Sequence, residues 1–411
     1  MEQAFRSAER PDVALITNHG YGGAHLPVGG APDTGGQNVY VNSLAAALDR
    51  LGYRVTIFAR GGFPFFGSER IRSEPEYLTE HVRYVFVPGG GDRFIRKEDI
   101  AIVLDEQVEW LDAFIRREAS ERGCEPWEVY GLLNTHYWDA AVVAVRLVER
   151  WRNDVAGSTL VELLEEIAPE EYLENLRAER HWSALGNAPA HHLGKLLLDG
   201  QPRSGGLEER VREASRRWAE GRGLEDGQAS SLERRVSEAL TRVGGAMAPA
   251  LRAVAAADAL GNAVLESVPE VAERLWGCLD VVDRHVWTPH SLGDLKDENF
   301  RNRPLETRRE LKFCERRSHE RMLCDRTRAF AATSYDIAER LRTHYAVPAG
   351  KIFYFPPCVD GRQFRPYSDD EMEPTYRWLS KISGFDLHRL KNARIVFETS
   401  RMDRSKRKDL V

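Results

Sequence analysis

The segment from residue 13 to 60 constrains the fold of this chain more than any other. VALITN (13–18) is an apolar run of strand length, and a loop rich in glycine and proline, HGYGGAHLPVGGAPDTGGQ (19–37), follows it. Val41, Leu44, Ala45, Leu48 and Leu51 then recur at helical spacing, with Gly52 placed as a C-terminal cap. YRVTIFAR (53–60) reads as the next strand. Strand, helix and strand in immediate succession make a βαβ unit, which requires a parallel sheet covered by helices.

The same alternation runs on. HVRYVFVP (81–88) is a strand, and Ile100 to Arg117 has the spacing of an amphipathic helix. YGLLNTH (130–136) is a strand entering a loop, and Ala140 to Trp151 is helical. Further along, RHVWTPHS (284–291), RAFAATS (328–334) and KIFYFPP (351–357) read as strands, with a helix at Tyr335–Tyr345. Between Trp151 and about Leu279 the alternation stops. That stretch is rich in Glu, Arg, Ala and Leu, and reads as an inserted helical subdomain. The expected organisation is therefore a Rossmann-like, doubly wound α/β domain from residues 1–151 and 280–390, interrupted by helices at 152–279. In such sheets ligands sit at the carboxyl ends of the strands.

Composition narrows the classes of partner. A formal net charge of −6 over 411 residues argues against a nucleic-acid binder, which needs a basic face. No apolar run approaches the roughly 20 residues that span a bilayer, and the polar N-terminus does not resemble a secretory signal. The five cysteines form no CxxC pair, so neither a disulfide framework nor a zinc site is expected. The chain reads as cytoplasmic.

A few residues could carry chemistry. Pro32-Asp33-Thr34-Gly35-Gly36-Gln37 enters a helix directly. Paired glycines let a ligand approach the backbone, and the free N–H groups of a helix start favour anionic or hydroxylated groups. The plainer reading is a turn that needs glycine for chain geometry; Gly22-Gly23 and Gly29-Gly30 nearby favour a binding loop. His136 and His290 each follow a strand, where a histidine is either structural or part of a site. They lack carboxylate companions at ligand spacing, which argues against a metal. His19 and His25 read as solvated loop residues. Lys97 ends the basic loop GGGDRFIRK, and Arg316 and Arg317 open a helix that continues to Glu320. These charges are either a solvated face or a phosphate clamp, since arginine grips phosphate with two parallel hydrogen bonds.

Taken together, DTGGQ at a helix start, HYWDA after a strand, TPHSLG, the Arg-Arg…Glu helix and FPPCVDGRQFRPY stand in a recognisable order. The set resembles the sucrose-phosphate synthase and sucrose synthase group of retaining GT-B glycosyltransferases, with mannosylfructose-phosphate synthase as a relative. The resemblance implies the N-terminal, acceptor-binding half of a GT-B fold. It also implies a transferase that moves a hexose from a nucleotide sugar, such as UDP-glucose or GDP-mannose, to a sugar phosphate, with no other cofactor. By resemblance Gly35, Gly36 and Gln37 contact the sugar, diphosphate or acceptor, and His136 and His290 lie near the reacting sugar. Lys97, Lys296, Arg316 and Arg317 fall where the group holds an acceptor phosphate. Ser400 to Lys406 resembles the first strand end of the donor domain, where Arg401 and Lys406 neutralise the leaving diphosphate.

Three departures accompany the resemblance. The chain stops at Val411, so residues 391–411 would be only the start of a donor domain, and the isolated chain is expected to be inactive. The helical insertion stands where a short connection is expected. Asp294 occupies a position that is usually basic in the group. The competing expectation is a truncated, non-catalytic module that binds or oligomerises through the insertion. A weaker one keeps the fold but changes the reaction to nucleotide-sugar epimerisation.

Overall fold

The computed structural model describes residues 1–27, 31–165, 283–358, 361 and 365–395, together with scattered helical positions between 216 and 238. The rest of the expected insertion, and Arg401 and Lys406, lie outside the described residues. After a short N-terminal helix, α1 (Glu2–Ser7), eight strands form one sheet: β1 Asp12–Thr17, β2 Arg54–Arg60, β3 Glu76–Thr79, β4 Val82–Val87, β5 Leu132–His136, β6 His285–Thr288, β7 Ala329–Ala332 and β8 Ile352–Tyr354. Their order is β3-β4-β2-β1-β5-β6-β7-β8. Every pairing is parallel except β3 with β4. The chain winds outward from β1 in both directions, as a doubly wound Rossmann-like sheet does, and the antiparallel β3 closes one edge.

Both faces of the sheet are covered, and β1 shows how its sequence achieves this. Side chains alternate across a strand. Val13 and Leu15 join Val41 and Ala45 of α2 (Gly36–Arg50) in one core layer. Ala14 and Ile16 join Val108, Leu111 and Ile115 of α3 (Leu104–Arg122) and the apolar face of α4 (Trp138–Glu165) in the other. Each Val, Leu or Ile among them contributes roughly 1.5–3 kcal/mol by burial, so a polar replacement on either parity would be costly. This double burial explains why VALITN reads as an unbroken apolar run.

Element ends follow local chemistry. Helix α2 stops at Arg50, and Gly52 at φ +92° takes the left-handed turn that follows. Helix α3 is preceded by a 3-10 turn, Ile100–Val103, and runs past Arg117 to Arg122, where Gly123 at φ +66° ends it. Helix α4 starts at Trp138, two residues before the apolar repeat, and continues past Trp151. Beyond β6, a short helix α5 (Gly293–Asn299) forms where a loop is expected from TPHSLG. The helix expected at Arg316 begins earlier, at Phe313, and runs to Arg326. Near the end of the described chain, helices Asp369–Ser383 and Leu387–Lys391 bury none of their residues. No described helix is long and apolar enough to cross a membrane.

Candidate functional site

Strand order locates the site. From β1 the chain crosses to β2 on one side, while β5 lies on the other, so the sheet's winding reverses between β1 and β5. Side by side there, Thr17 of β1 pairs with His136 of β5, and His136 with Thr288 of β6. A crevice opens where strands diverge in this way. A cavity of about 1050 Å³ occupies this place, lined among others by His19, Asp33, Gln37, Lys97, Tyr137, Trp138, His290, Lys296 and Arg316.

The glycine-rich loop forms one wall. Gly20 sits at φ +58°, and a Cβ there would lie 2.3 Å from the Asp33 carbonyl oxygen, so only glycine lets the two arms of the loop close. Gly35 and Gly36 differ, because a Cβ on either would meet nothing within 4 Å. The Asn38 side chain accepts from the Gly35 N–H at 3.2 Å and donates to the His19 carbonyl at 2.8 Å, fixing the helix start. The N–H groups of Gly36 and Gln37 have no acceptor among the described residues. The buried Gln37 amide lies 3.4 Å from both the Thr17 hydroxyl and the His136 carbonyl, tying α2 to the ends of β1 and β5. Open space before unpaired amides at the start of a 15-residue helix is suited to an anionic or hydroxylated group.

Three histidines meet behind this wall. His136 is fully buried, and its Nδ1 lies 3.0 Å from His290 Nε2. Burial, and then the neighbouring His290, push His136 well below the usual histidine range. Burial pushes His290 down to about 4. Both rings are therefore neutral at pH 7, and one must donate to the other. His136 Nε2 is then left buried with no partner among the described residues. Tyr40 packs edge-on against both rings, at 5.8 and 4.9 Å, and fixes their planes. His19, expected as a solvated loop residue, instead lines the cavity against Tyr137 at 5.6 Å. Burial lowers it to about 3. Its position after β1 is the signal for this, since the first residues beyond a central strand are covered by the loop that leaves it. His25 is exposed, as expected.

The basic residues separate by what already holds them. Lys97 donates its N–H to Asp33 Oδ2 at 3.1 Å, its ammonium pairs with Asp33, and Glu98 lies 3.3 Å away. Burial alone would lower Lys97, but the contact with Asp33 outweighs it and raises it. Arg316 is buried and fully engaged. It donates to Glu320 at 2.7 Å, to the Tyr137 hydroxyl and to Ser291, and its guanidinium lies over the Tyr137 ring at 4.3 Å. Glu320 also accepts the Gly293 N–H at 2.8 Å and the Tyr345 hydroxyl. Arg317 pairs with Asp297 at 3.2 Å and is not among the cavity-lining residues. Asp294 faces Arg340 and His344, at 3.3 and 2.6 Å, on the far side of the same helix junction.

Lys296 behaves differently. It lines the cavity with no carboxylate partner among the described residues, and its ammonium is 3.5 Å from the Tyr137 hydroxyl. Tyr137 itself takes φ +80°, uncommon for a bulky residue, and this turns its ring between Arg316 and Lys296. Sequence reasoning missed Tyr137, because nothing in HYWDA marks a positive φ. Five basic residues line the cavity (Lys97, Lys296, Arg303, Lys312, Arg316) against three acidic ones (Asp33, Glu98, Glu315), so its surplus favours an anionic guest. The structure thus brings Gln37, Lys97, His290, Lys296 and Arg316 to one cavity, with His136 behind it.

Known proteins bear on this geometry. No protein-family profile matches the chain. The mannosylfructose-phosphate synthase of Agrobacterium fabrum is 41% identical over 141 residues, which cover 34% of this chain and 27% of that protein. A D-inositol 3-phosphate glycosyltransferase of Pseudarthrobacter chlorophenolicus is 30% identical over 139 residues, covering 34% and 29%. The matches thus span less than a third of the length of these relatives. Among solved structures, the sucrose-phosphate synthase of Thermosynechococcus elongatus aligns with a TM-score of 0.43 and 15% identity, over 89% of this chain and 53% of that one. Over about a third of its length, then, the chain is similar to glycosyltransferases that include a mannosylfructose-phosphate synthase and D-inositol 3-phosphate glycosyltransferases.

Proposed function

We propose that this chain is the acceptor-binding part of a retaining hexosyltransferase, one that moves a hexose from a nucleotide sugar to a sugar phosphate. One observation carries the reading. At the point where the sheet reverses its winding, a cavity is lined by Gln37, from the α2 start where the Gly36 and Gln37 amides are unpaired among the described residues, and by Lys296, whose ammonium has no carboxylate partner among them. A sugar phosphate needs both: a cation for the phosphate and backbone or imidazole groups for the hydroxyls.

In this account Lys296 and Lys97 form the basic wall that receives the acceptor phosphate. Arg316 positions Tyr137 and the Ser291 loop and supplies charge from beneath. Arg317 supports α5 through Asp297. The Gly35-Gly36 turn and Gln37 face the transferred sugar or its diphosphate. His136, held neutral by burial and by His290, offers Nε2 to a sugar hydroxyl; a hydroxyl both donates and accepts, so either tautomer serves. The acceptor hydroxyl attacks the anomeric carbon from the face that the nucleotide leaves, and configuration is retained. Residues 1–151 and 280–390 supply the acceptor domain, and 391–411 begin a donor domain. There Arg401 and Lys406 neutralise the departing diphosphate, whose charge grows in the transition state.

The test is complementation. With a GT-B donor domain supplied in cis or trans, the chain is expected to transfer hexose from UDP-glucose or GDP-mannose to a hexose phosphate with the anomeric configuration kept, as read by NMR of the product. EDTA is expected to leave the rate unchanged. Inverted product, or no transfer to any sugar phosphate while the supplied domain binds its nucleotide, contradicts the proposal.

A further inference from the structure

Two buried arginines lie beside the cavity without lining it. Arg60 is the last residue of β2, and Arg72 lies in the hairpin that follows; they are 2% and 1% exposed. Neither has a carboxylate ion-pair partner among the described residues, so each buried charge must be justified by what it holds. Arg60 Nη1 donates to the Ile95 carbonyl at 2.7 Å, inside the basic loop 89–97. Its guanidinium lies over Phe94, also in that loop, at 5.0 Å, and over Phe63 at 5.4 Å. Phe94 in turn stacks on Tyr21 at 5.0 Å, with planes 2° apart. Tyr21 belongs to the glycine-rich loop, where its N–H donates to Thr34 Oγ1 at 2.9 Å. Arg72 secures the same arm from the other side by donating to the Gly22 carbonyl and lying over the Tyr21 ring at 5.5 Å.

These contacts join two loops that the Asp33–Lys97 pair and the Phe63 ring, edge-on to both Tyr21 and Phe94 at 5.4 and 5.3 Å, also link. One loop carries Asp33 and the other carries Lys97. We infer that Arg60 is a positioning residue, which seats the loop 89–97 on the Tyr21–Phe94 stack and thereby places Lys97 against Asp33 in the cavity wall. Arg60 would act on the acceptor only through Lys97. This rests on the reading that the cavity takes an anionic acceptor, but the seating of the loop is a property of the chain alone.

The experiment has two arms, made on the full chain with Arg60→Met and with Phe94→Leu, which disturbs the stack but leaves the buried charge. In the first, hydrogen exchange is followed at the Lys97 amide, which donates to Asp33. Exchange is expected to accelerate by about tenfold or more in both variants, the loss of one hydrogen bond to a charged group. Unchanged exchange in both overturns the inference. In the second arm, inorganic phosphate is titrated into the wild type, Arg60→Met, Lys97→Met and the double variant. Arg60→Met and Lys97→Met are each expected to weaken phosphate by about tenfold, and the double variant to be no weaker than Lys97→Met alone. Additive losses show that Arg60 acts otherwise than through Lys97 and overturn the inference. A wild type that binds no phosphate removes the anionic-acceptor reading, and the exchange arm then decides the role of Arg60 by itself.

Discussion

Gly20 and Gly36 stand in one glycine-rich loop and answer to different demands. Gly20 is dictated by the fold: its φ of +58° and the 2.3 Å approach to Asp33 leave no room for a methyl group. Gly20→Ala is expected to lower unfolding free energy by about 1–3 kcal/mol, the cost of a strained backbone. At Gly36, by contrast, nothing lies within 4 Å, so Gly36→Ala should leave stability unchanged or raise it by up to about 1 kcal/mol. What it should weaken is ligand binding, because the methyl group occupies the space before the amides. Denaturant melts of the two variants, read beside a ligand titration, separate the two demands; a destabilised Gly36→Ala would mean that the fold itself requires that glycine. The sequence could not distinguish them, since two glycines in a loop look alike until their neighbours are known. Lys97 and Lys296 pose the same difficulty. Both are lysines in polar stretches of sequence, and only the structure shows that Asp33 and Glu98 hold the first.

Elements were more legible than contacts. Strands β2, β4, β5, β6, β7 and β8 fall within the runs that announce them and β1 begins one residue before its own; the central strands read as apolar because they are buried on both faces, whereas β8 is an edge strand whose Phe353 and Tyr354 are exposed. The edge strand Glu76–Thr79 gives no such signal: all four of its residues are half-buried, and its mixed sequence EYLT lacks a run. Helix α5 was hidden for another reason. It is seven residues long and is held through the Gly293 N–H by Glu320, far along the chain. Strand ends also carry a pH dependence. His285 of β6 is buried against the Thr135 hydroxyl at 2.9 Å, and burial lowers it to about 4. The unfolded chain binds this proton from about pH 6.5 downward, whereas the fold does so only near pH 4. Stability therefore falls as pH drops through that window, by up to about 1.4 kcal/mol per pH unit for this histidine. Chemical denaturation at steps from pH 7 to 4 should show the slope, and His285→Gln should reduce it; an unaltered slope would remove His285 from the account.

At the scale of the molecule, the β1–β5 reversal explains why short motifs far apart in sequence belong together. The turn at Gly35-Gly36, the loop ending at Lys97, the end of β5 and the loop after β6 all emerge at one edge of the sheet. The alternating pattern made that convergence legible, because strand order and ligand position are linked in doubly wound sheets. The charge balance inside the cavity was not legible, since it depends on which carboxylate reaches which cation. The proposed function requires this cavity to bind a sugar phosphate through Lys296 and the helix start. Calorimetric titration of the chain with a hexose 6-phosphate, and with the same hexose unphosphorylated, tests it most directly. Saturable binding of the phosphate ester alone is expected, weakened about tenfold or more by Lys296→Ala, the loss of a charge-assisted contact. Equal binding of the two sugars, no binding of either, or an unaltered affinity in Lys296→Ala would contradict it.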